Sequence, residues 1–242
     1  QILLYEALRY NIPQFAHLPM ILGDDGKKLS KRKANGSVMD LLNNGYVPSS
    51  IFNYLLKLGF GYKNEEIISK DRAIEIFNIK HINKAPCIFN ENKLQFLSKH
   101  YLKTESIHEN IIKNMITKYL EINHIGYYSN NITVYWDILW KELIMRLSTY
   151  NDLYHLISFL TNPGLVLFTY DKNVVKDMYD FISNNVINNI TIQGLIQLNN
   201  NIKLNCEYLR FILCGSNQTI NIVCICLILG KEEILNRLSK YI

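Results

Sequence analysis

The sequence is poor in residues that interrupt regular structure. It holds 11 glycines and 5 prolines among 242 residues, which excludes a collagen-like or linker-like chain. Its longest apolar run, residues 220–229, is interrupted by Asn221 and is shorter than the ~18–20 residues that a membrane helix needs. No secretory signal is visible, so we expect no membrane partner. The 48% of hydrophobic residues and 19% of charged residues are typical of a globular chain that buries a core.

Cysteine is also scarce, and the 5 cysteines are an odd number. Four of them lie among leucine, isoleucine and valine, which predicts buried free thiols in a reducing compartment: Cys206, Cys214, Cys224 and Cys226. A zinc site is expected to show paired Cys-x-x-Cys or Cys/His spacing, which Cys224-Ile225-Cys226 does not supply. We therefore expect no zinc and a cytoplasmic location, with an organelle as the open alternative.

Acidic residues are under-represented in the first half of the chain. Residues 1–120 carry 17 Lys and Arg against 11 Asp and Glu, a net charge of +6, whereas residues 121–242 carry 9 against 10, a net charge of −1. A basic first half favours a polyanionic partner. The first residue, Gln1, lies inside a predicted helix, from which we expect the sequence to be a piece of a longer protein.

Apolar spacing predicts a mainly α-helical chain with a small mixed α/β segment at its front. Residues 2–10 have helical spacing, and residues 15–22 read as an edge strand in which His17 is a packed core histidine. A turn follows at residues 23–26. Expected helix N-caps are Ser37, Ser49 or Ser50, Ser69, and Asn90 or Asn92. Further helices are predicted over residues 105–122, 133–149, 172–187, 204–213, 219–229 and 231–241.

The most informative segment is the basic loop at residues 27–33, in which five of the seven residues are positive. So many like charges repel one another unless an anion is bound among them. Lysine and arginine side chains together with free backbone N–H groups can clamp a phosphate. The alternative from the residues alone is a solvated basic loop.

The run from Lys28 to Arg32 reads K-L-S-K-R and resembles the KMSKS-type signature of class I aminoacyl-tRNA synthetases. With the Gly-Asp-Asp-Gly turn before it, it is most similar to the glutamyl-tRNA synthetases of bacteria and organelles. The chain resembles further stretches of the family, and these occur in the same order along it, at residues 15–22, 51–60, 83–94, 209–215 and 229–238. The resemblance therefore covers almost the whole chain.

The resemblance implies a set of ATP-binding residues in this loop: Lys28, Leu29, Ser30, Lys31 and Arg32. Lys28 and Lys31 match the catalytic lysines of the signature, and Lys31 would offset the charge that develops on the leaving pyrophosphate. ATP and Mg²⁺ are the implied cofactors, and glutamate and the glutamate tRNA the implied partners of a monomeric enzyme. One departure is Lys33-Ala34, which replaces the usual His-Gly after the signature.

The resemblance also implies a tRNA-binding set near the anticodon: Arg146, Thr149 and Arg210. A guanidinium stacks on, or donates to, an unstacked base, so arginine suits this role. Thr149 aligns where members that reject the glutamine tRNA place an arginine. This alignment predicts an enzyme that charges both the glutamate and the glutamine tRNA.

The resemblance divides the chain into three parts. Residues 1–103 would be a stem-contact segment with the signature loop at the end of the catalytic region, and residues 104–162 and 163–242 two subdomains of a helical anticodon-binding cage. No HIGH-type motif is present, so the chain is interpreted as the C-terminal half of the enzyme, inactive alone. A glutaminyl-tRNA synthetase fragment and a non-catalytic helical tRNA-binding protein remain as alternatives.

Overall fold

The computed structural model describes residues 1–29, 37–62, 64–161, 163, 170–185, 206–216 and 219–242. These residues form two compact units, residues 1–98 and 99–242. The first unit carries a two-stranded parallel sheet, and its elements are α1 (Ile2–Ala7), β1 (Ile21–Leu22), α2 (Val38–Asn43), α3 (Pro48–Gly59), α4 (Lys70–Ile76) and β2 (Cys87–Ile88). Helix α5 (Glu91–Thr104) begins in the first unit and ends in the second.

The second unit is helical wherever the structure describes it. Its α-helices are α6 (Ile107–Ile122), α7 (Ser129–Val134), α8 (Trp136–Arg146), α9 (Asp152–Leu156), α10 (Lys172–Asn185), α11 (Cys206–Cys214) and α12 (Ile222–Ser239). Three short 3₁₀ helices complete the described elements of the chain: Ile79–His81, Gly126–Tyr128 and Ser158–Leu160. The predicted mainly α-helical class with a small mixed front segment is confirmed at this level.

Several predicted helix boundaries are confirmed by their capping bonds. Ser37 and Asp40 form a capping box at the start of α2, in which each side chain accepts the other residue's backbone N–H. The Ser69 hydroxyl accepts the N–H of Arg72 at the start of α4, and Asn90 accepts the N–H of Lys93 in the first turn of α5. These side chains satisfy N–H groups that a helix start otherwise leaves without partners.

The expectation of a strand over residues 15–22 is wrong in extent, because only Ile21 and Leu22 form β1. Pro19 lacks a backbone N–H, which removes a donor that a strand over these residues needs. His17 is accordingly exposed, not a packed core histidine. It lines a shallow groove together with residues 1–3 and Phe15.

The prediction of separate last helices is confirmed. Helices were expected over residues 219–229 and 231–241, and α12 consists of two helical segments, between Ile222 and Ser239, that meet at a non-helical Gly230. Gly230 has φ of 77° and ψ of 167°, a left-handed conformation that glycine adopts readily. The break between the two helical segments therefore lies where it was predicted, and no loop separates them.

The core of the first unit is built mainly by α3 and α5. Ile51, Tyr54 and Leu58 pack against Leu94 and Leu97, all of them buried. The hydroxyl of Tyr54 accepts the N–H of Asn90 at 2.6 Å, and its ring meets Phe89 edge-on. This packing fixes β2 and the start of α5 against α3.

Candidate functional site

The loop signature begins in a small hairpin of the first unit. The N–H of Leu29 donates to the carbonyl oxygen of Ile21 at 2.9 Å, and Lys28 pairs antiparallel with Leu22. Inside this pairing, Gly23 donates to the carbonyl oxygen of Lys27, and Gly26 closes the turn with φ of 69°. The turn predicted at residues 23–26 is confirmed, and β1 lies between Lys28 and β2.

Two lysines at the end of this hairpin are presented to solvent. Lys27 and Lys28 are exposed, and Leu29 is half-buried. Exposed ammonium groups on a fixed backbone suit the binding of a phosphate group. Ser30, Lys31 and Arg32 lie outside the described residues, as do Lys33 and Ala34, so their expected roles stay predictions.

Residues 51–60, which resemble the family's helix after the loop, hold the first unit together. Asn53 is fully buried, and its side chain donates to the carbonyl oxygen of Glu66 and accepts the N–H of Ile68 at 2.9 Å. With Tyr54, it anchors two connecting segments to α3. These residues therefore stabilise the unit that carries the hairpin.

Arg146 lies at the C-terminal end of α8, beside an open groove of about 620 Å³ in the second unit. The groove is lined by Arg146, Asp152, His155, Leu156 and Thr219. Nη1 of Arg146 donates to the carboxylate of Glu142 one turn earlier, at 2.5 Å, and to that residue's carbonyl oxygen. The guanidinium is thereby held at the groove with its Nε and Nη2 groups free of partners among the described residues.

Arg210, on α11, contacts one of the groove-lining residues. Its Nη1 donates to Oγ1 of Thr219 and to the carbonyl oxygen of Ile220, each at 3.2 Å. Thr219 is buried, and it lines the groove. The structure thus connects Arg210, through Thr219, to the groove that Arg146 lines, although the two arginines are 64 residues apart in the sequence.

Thr149 lies between α8 and α9 in a loop that is anchored on both sides. Its N–H and that of Ser148 both donate to Oδ2 of Asp152 at 2.8 Å. The hydroxyl of Tyr150 contacts Nδ1 of His108 at 2.6 Å, and burial raises the pKa of Tyr150 to about 12. Only 9% of Thr149 is exposed, so its side chain is buried. Its backbone N–H nevertheless contacts Asp152, which lines the groove.

Sequence reasoning missed Arg237, the most buried charge in the described structure at 1% exposure. Its guanidinium donates to Glu233, to the carbonyl oxygens of Phe159 and Leu213, and to the hydroxyl of Tyr128. The i, i+4 spacing of Glu233 and Arg237 in the final helix was the available signal. Arg237 thereby secures the end of α11, the helix that carries Arg210.

Metal and thiol chemistry find little support in the described part of the chain. Those residues contain no group of three or more His, Cys, Asp or Glu side chains able to hold a metal ion. Cys214, Cys224 and Cys226 are buried free thiols, and burial raises the pKa of Cys214 to about 11 and that of Cys224 to about 12. The side chain of Cys206 lies outside the described set. No described helix is long and apolar enough to cross a membrane.

Comparison with known proteins identifies the relatives of this chain. Residues 1–96 match the family described as tRNA synthetases class I (E and Q), catalytic domain. Over its full length the chain is 32% identical to glutamate–tRNA ligase 2 of Helicobacter acinonychis, of which it covers 54%. It is 34% identical over 99% of its length to glutamate–tRNA ligase 2 of Wolbachia pipientis subsp. Culex pipiens, again covering 54%.

A solved glutamate tRNA ligase from Elizabethkingia meningosepticum shares the fold. The TM-score is 0.73 at 23% identity, over 99% of this chain and 53% of the solved one. The chain thus spans about half the length of the relatives it matches, and its homologues are glutamate–tRNA ligases. The expectation that it is a C-terminal half is not supported by these matches, because the matched family is the catalytic domain.

Proposed function

We propose that this chain is part of a glutamate–tRNA ligase and that it supplies both the ATP loop and a tRNA-binding surface. The observation that carries the proposal is the likeness to glutamate–tRNA ligases over 99–100% of the chain. The complete enzyme would form glutamyl-adenylate from glutamate and ATP, releasing pyrophosphate, and then transfer the glutamyl group to the 3′ end of the tRNA, releasing AMP.

Residues 28–32 would act on ATP. The hairpin presents Lys28 to solvent, and Lys31 follows three residues later on the loop. As the bond to pyrophosphate breaks, negative charge grows on the leaving phosphates, and a lysine placed there stabilises that transition state more than the ground state. Mg²⁺ would be held chiefly by the nucleotide, since the described residues contain no group of three or more metal-ligating side chains, and it would supply positive charge that offsets the charge of the phosphates.

Changing Lys31 to alanine tests this role in the complete ligase. We expect adenylate formation to fall by about 100-fold or more, as when one charge-stabilising group is removed from an active site. Binding of tRNA should stay within about twofold, because Lys31 would contact ATP and not tRNA. Near-normal activation by the variant would contradict the ATP assignment.

The second unit would bind the tRNA. The groove near Arg146, Asp152 and Thr219 presents guanidinium donors on a helical surface, a combination that suits unstacked bases and phosphates. Residues 104–162 and 163–242 would each contribute to this surface, as the two predicted anticodon-binding subdomains. Among the described residues of 99–242 no strand occurs, which disfavours the β-barrel anticodon region expected of a glutaminyl enzyme.

Two arginine substitutions and a matched control test the tRNA assignment. Arg146→Gln and Arg210→Gln should each raise the Kd of the 242-residue chain for glutamate tRNA about tenfold, since each removes a charge-assisted contact. Lys113→Gln is the control, because Lys113 pairs with Glu109 at the same i, i+4 spacing and has similar exposure but does not line the groove. If all three variants weaken binding equally, the arginines act only through net charge and the site is elsewhere.

A further inference from the structure

Glu142 contacts both the groove-lining Arg146 and the chain segment that holds Arg210. Its Oε2 atom accepts a hydrogen bond from Nη1 of Arg146 and a second one, at 3.1 Å, from the backbone N–H of Asn221. The two donors are 75 residues apart in the sequence, Arg146 at the end of α8 and Asn221 at the start of α12. One carboxylate oxygen therefore links the end of α8 to the start of α12.

Asn221, the second donor to Glu142, directly follows the residues that hold Arg210. Asn221 follows Ile220, whose carbonyl oxygen accepts from Arg210, and Thr219, whose hydroxyl also accepts from it. Asn221 is also the N-cap of α12, with its side chain accepting the N–H of Val223 at 2.8 Å. Movement of the 219–221 segment would therefore displace the groups that hold the Arg210 guanidinium.

A carboxylate on a surface that binds RNA lowers affinity through simple repulsion from the phosphates. Glu142 is nevertheless partly exposed there, with 23% of its side chain accessible. Ordering an arginine before it binds reduces the entropy lost on association, which offsets that repulsion. The net effect of the carboxylate on binding depends on which of the two influences is larger.

We infer that Glu142 is a positioning residue of the tRNA-binding groove, which orders Arg146 directly and Arg210 through the 219–221 segment. The inference rests on the proposed function of this groove. It assigns to an acidic side chain a favourable contribution to binding a polyanion. The sign of that contribution is opposite to the one that charge alone predicts.

The test compares Glu142→Gln with Glu109→Gln in the 242-residue chain, using a glutamate tRNA transcript at fixed salt. Both variants remove one negative charge from an i, i+4 pair in the second unit. Glu142→Gln should weaken tRNA binding about fivefold, the effect of leaving a long side chain or a short segment to be ordered on binding. Hydrogen exchange of the amides at 219–223 should also become faster, and Glu109→Gln should bind as the parent chain does or slightly more tightly.

Unchanged or tighter binding by Glu142→Gln would overturn the inference, because charge would then outweigh positioning. Glu142→Asp gives a second measurement, since the shorter side chain keeps the charge but not the reach to both donors. It should weaken binding as Glu142→Gln does. If Arg146→Gln and Arg210→Gln leave binding unaltered, the proposed function fails, and this result is distinct from failure of Glu142→Gln alone.

Discussion

Arg237 donates from Nη1 to the carbonyl oxygen of Leu213, and the two residues lie at the crossing of the last two helices. Nε of the same guanidinium donates to Glu233 at 2.7 Å, so the buried charge is neutralised within its own helix. A buried ion pair costs desolvation when it forms, and removing one partner leaves the rest of the network uncompensated. The stability of the second unit is therefore sensitive to this residue.

Replacing Arg237 with alanine should lower the free energy of unfolding by about 3–5 kcal/mol, because the carbonyl oxygens of Phe159 and Leu213 lose their donor inside the core. Urea unfolding followed by circular dichroism measures the change. Lys113→Ala, which breaks a half-buried pair with Glu109, serves as the control and should cost about 1 kcal/mol or less. Equal losses in the two variants would show that burial of Arg237 contributes nothing.

Tyr54 makes the corresponding prediction for the first unit. Tyr54→Phe keeps the buried ring and removes the hydroxyl that accepts the N–H of Asn90, which should cost about 1–2 kcal/mol. The matched control is Tyr10→Phe, because Tyr10 is exposed. Thermal unfolding measures the effect. Tyr54→Phe should have a lower melting temperature than the parent chain, and Tyr10→Phe should have the same one.

The buried thiols and Tyr150 predict a loss of stability in alkali. Their pKa values are raised in the folded chain, to about 12 for Cys224 from 9.0 and to about 12 for Tyr150 from 10.0. Their contribution is therefore complete below pH 9, where both states hold the protons. It is lost as the pH rises towards 12, because the unfolded state releases its protons first.

Urea midpoints measured between pH 8 and pH 11 test this dependence. The parent chain should lose stability steadily over the interval, and Tyr150→Phe should lose less of it above pH 10 than the parent does. A flat profile in the parent chain would show that these groups titrate in the folded state as they do in water.

Thr149→Arg tests the proposed relaxed specificity. The loop around Thr149 is fixed by Asp152, which lines the groove, but the threonine side chain is buried, so an arginine at this position must turn outward from the loop to reach the groove. We expect selectivity for the glutamate tRNA over the glutamine tRNA to rise about tenfold, measured as the ratio of two Kd values. Thr149→Val, which adds no charge, should leave the ratio unchanged. An unchanged ratio in the arginine variant as well would remove Thr149 from the specificity argument.

The sequence predicted those features that depend on local patterns. The Ser37, Ser69 and Asn90 caps, the turn closed by Gly26 and the break at Gly230 all follow from residue type and spacing. The extent of β1 did not follow, because strand length depends on a partner that is distant in the chain. Long-range pairs such as Glu142 with Asn221 and Arg237 with Leu213 leave no local signal either, since their two halves meet only through packing.

Binding of the 242-residue chain to three transcripts across a salt series tests the central claim most directly. The transcripts are the glutamate tRNA, the glutamine tRNA and one for an unrelated amino acid. The account predicts similar binding of the first two, weaker binding of the third, and a steep loss of affinity as salt rises, because phosphate contacts release counterions. Equally weak binding of all three would contradict a groove that reads tRNA identity.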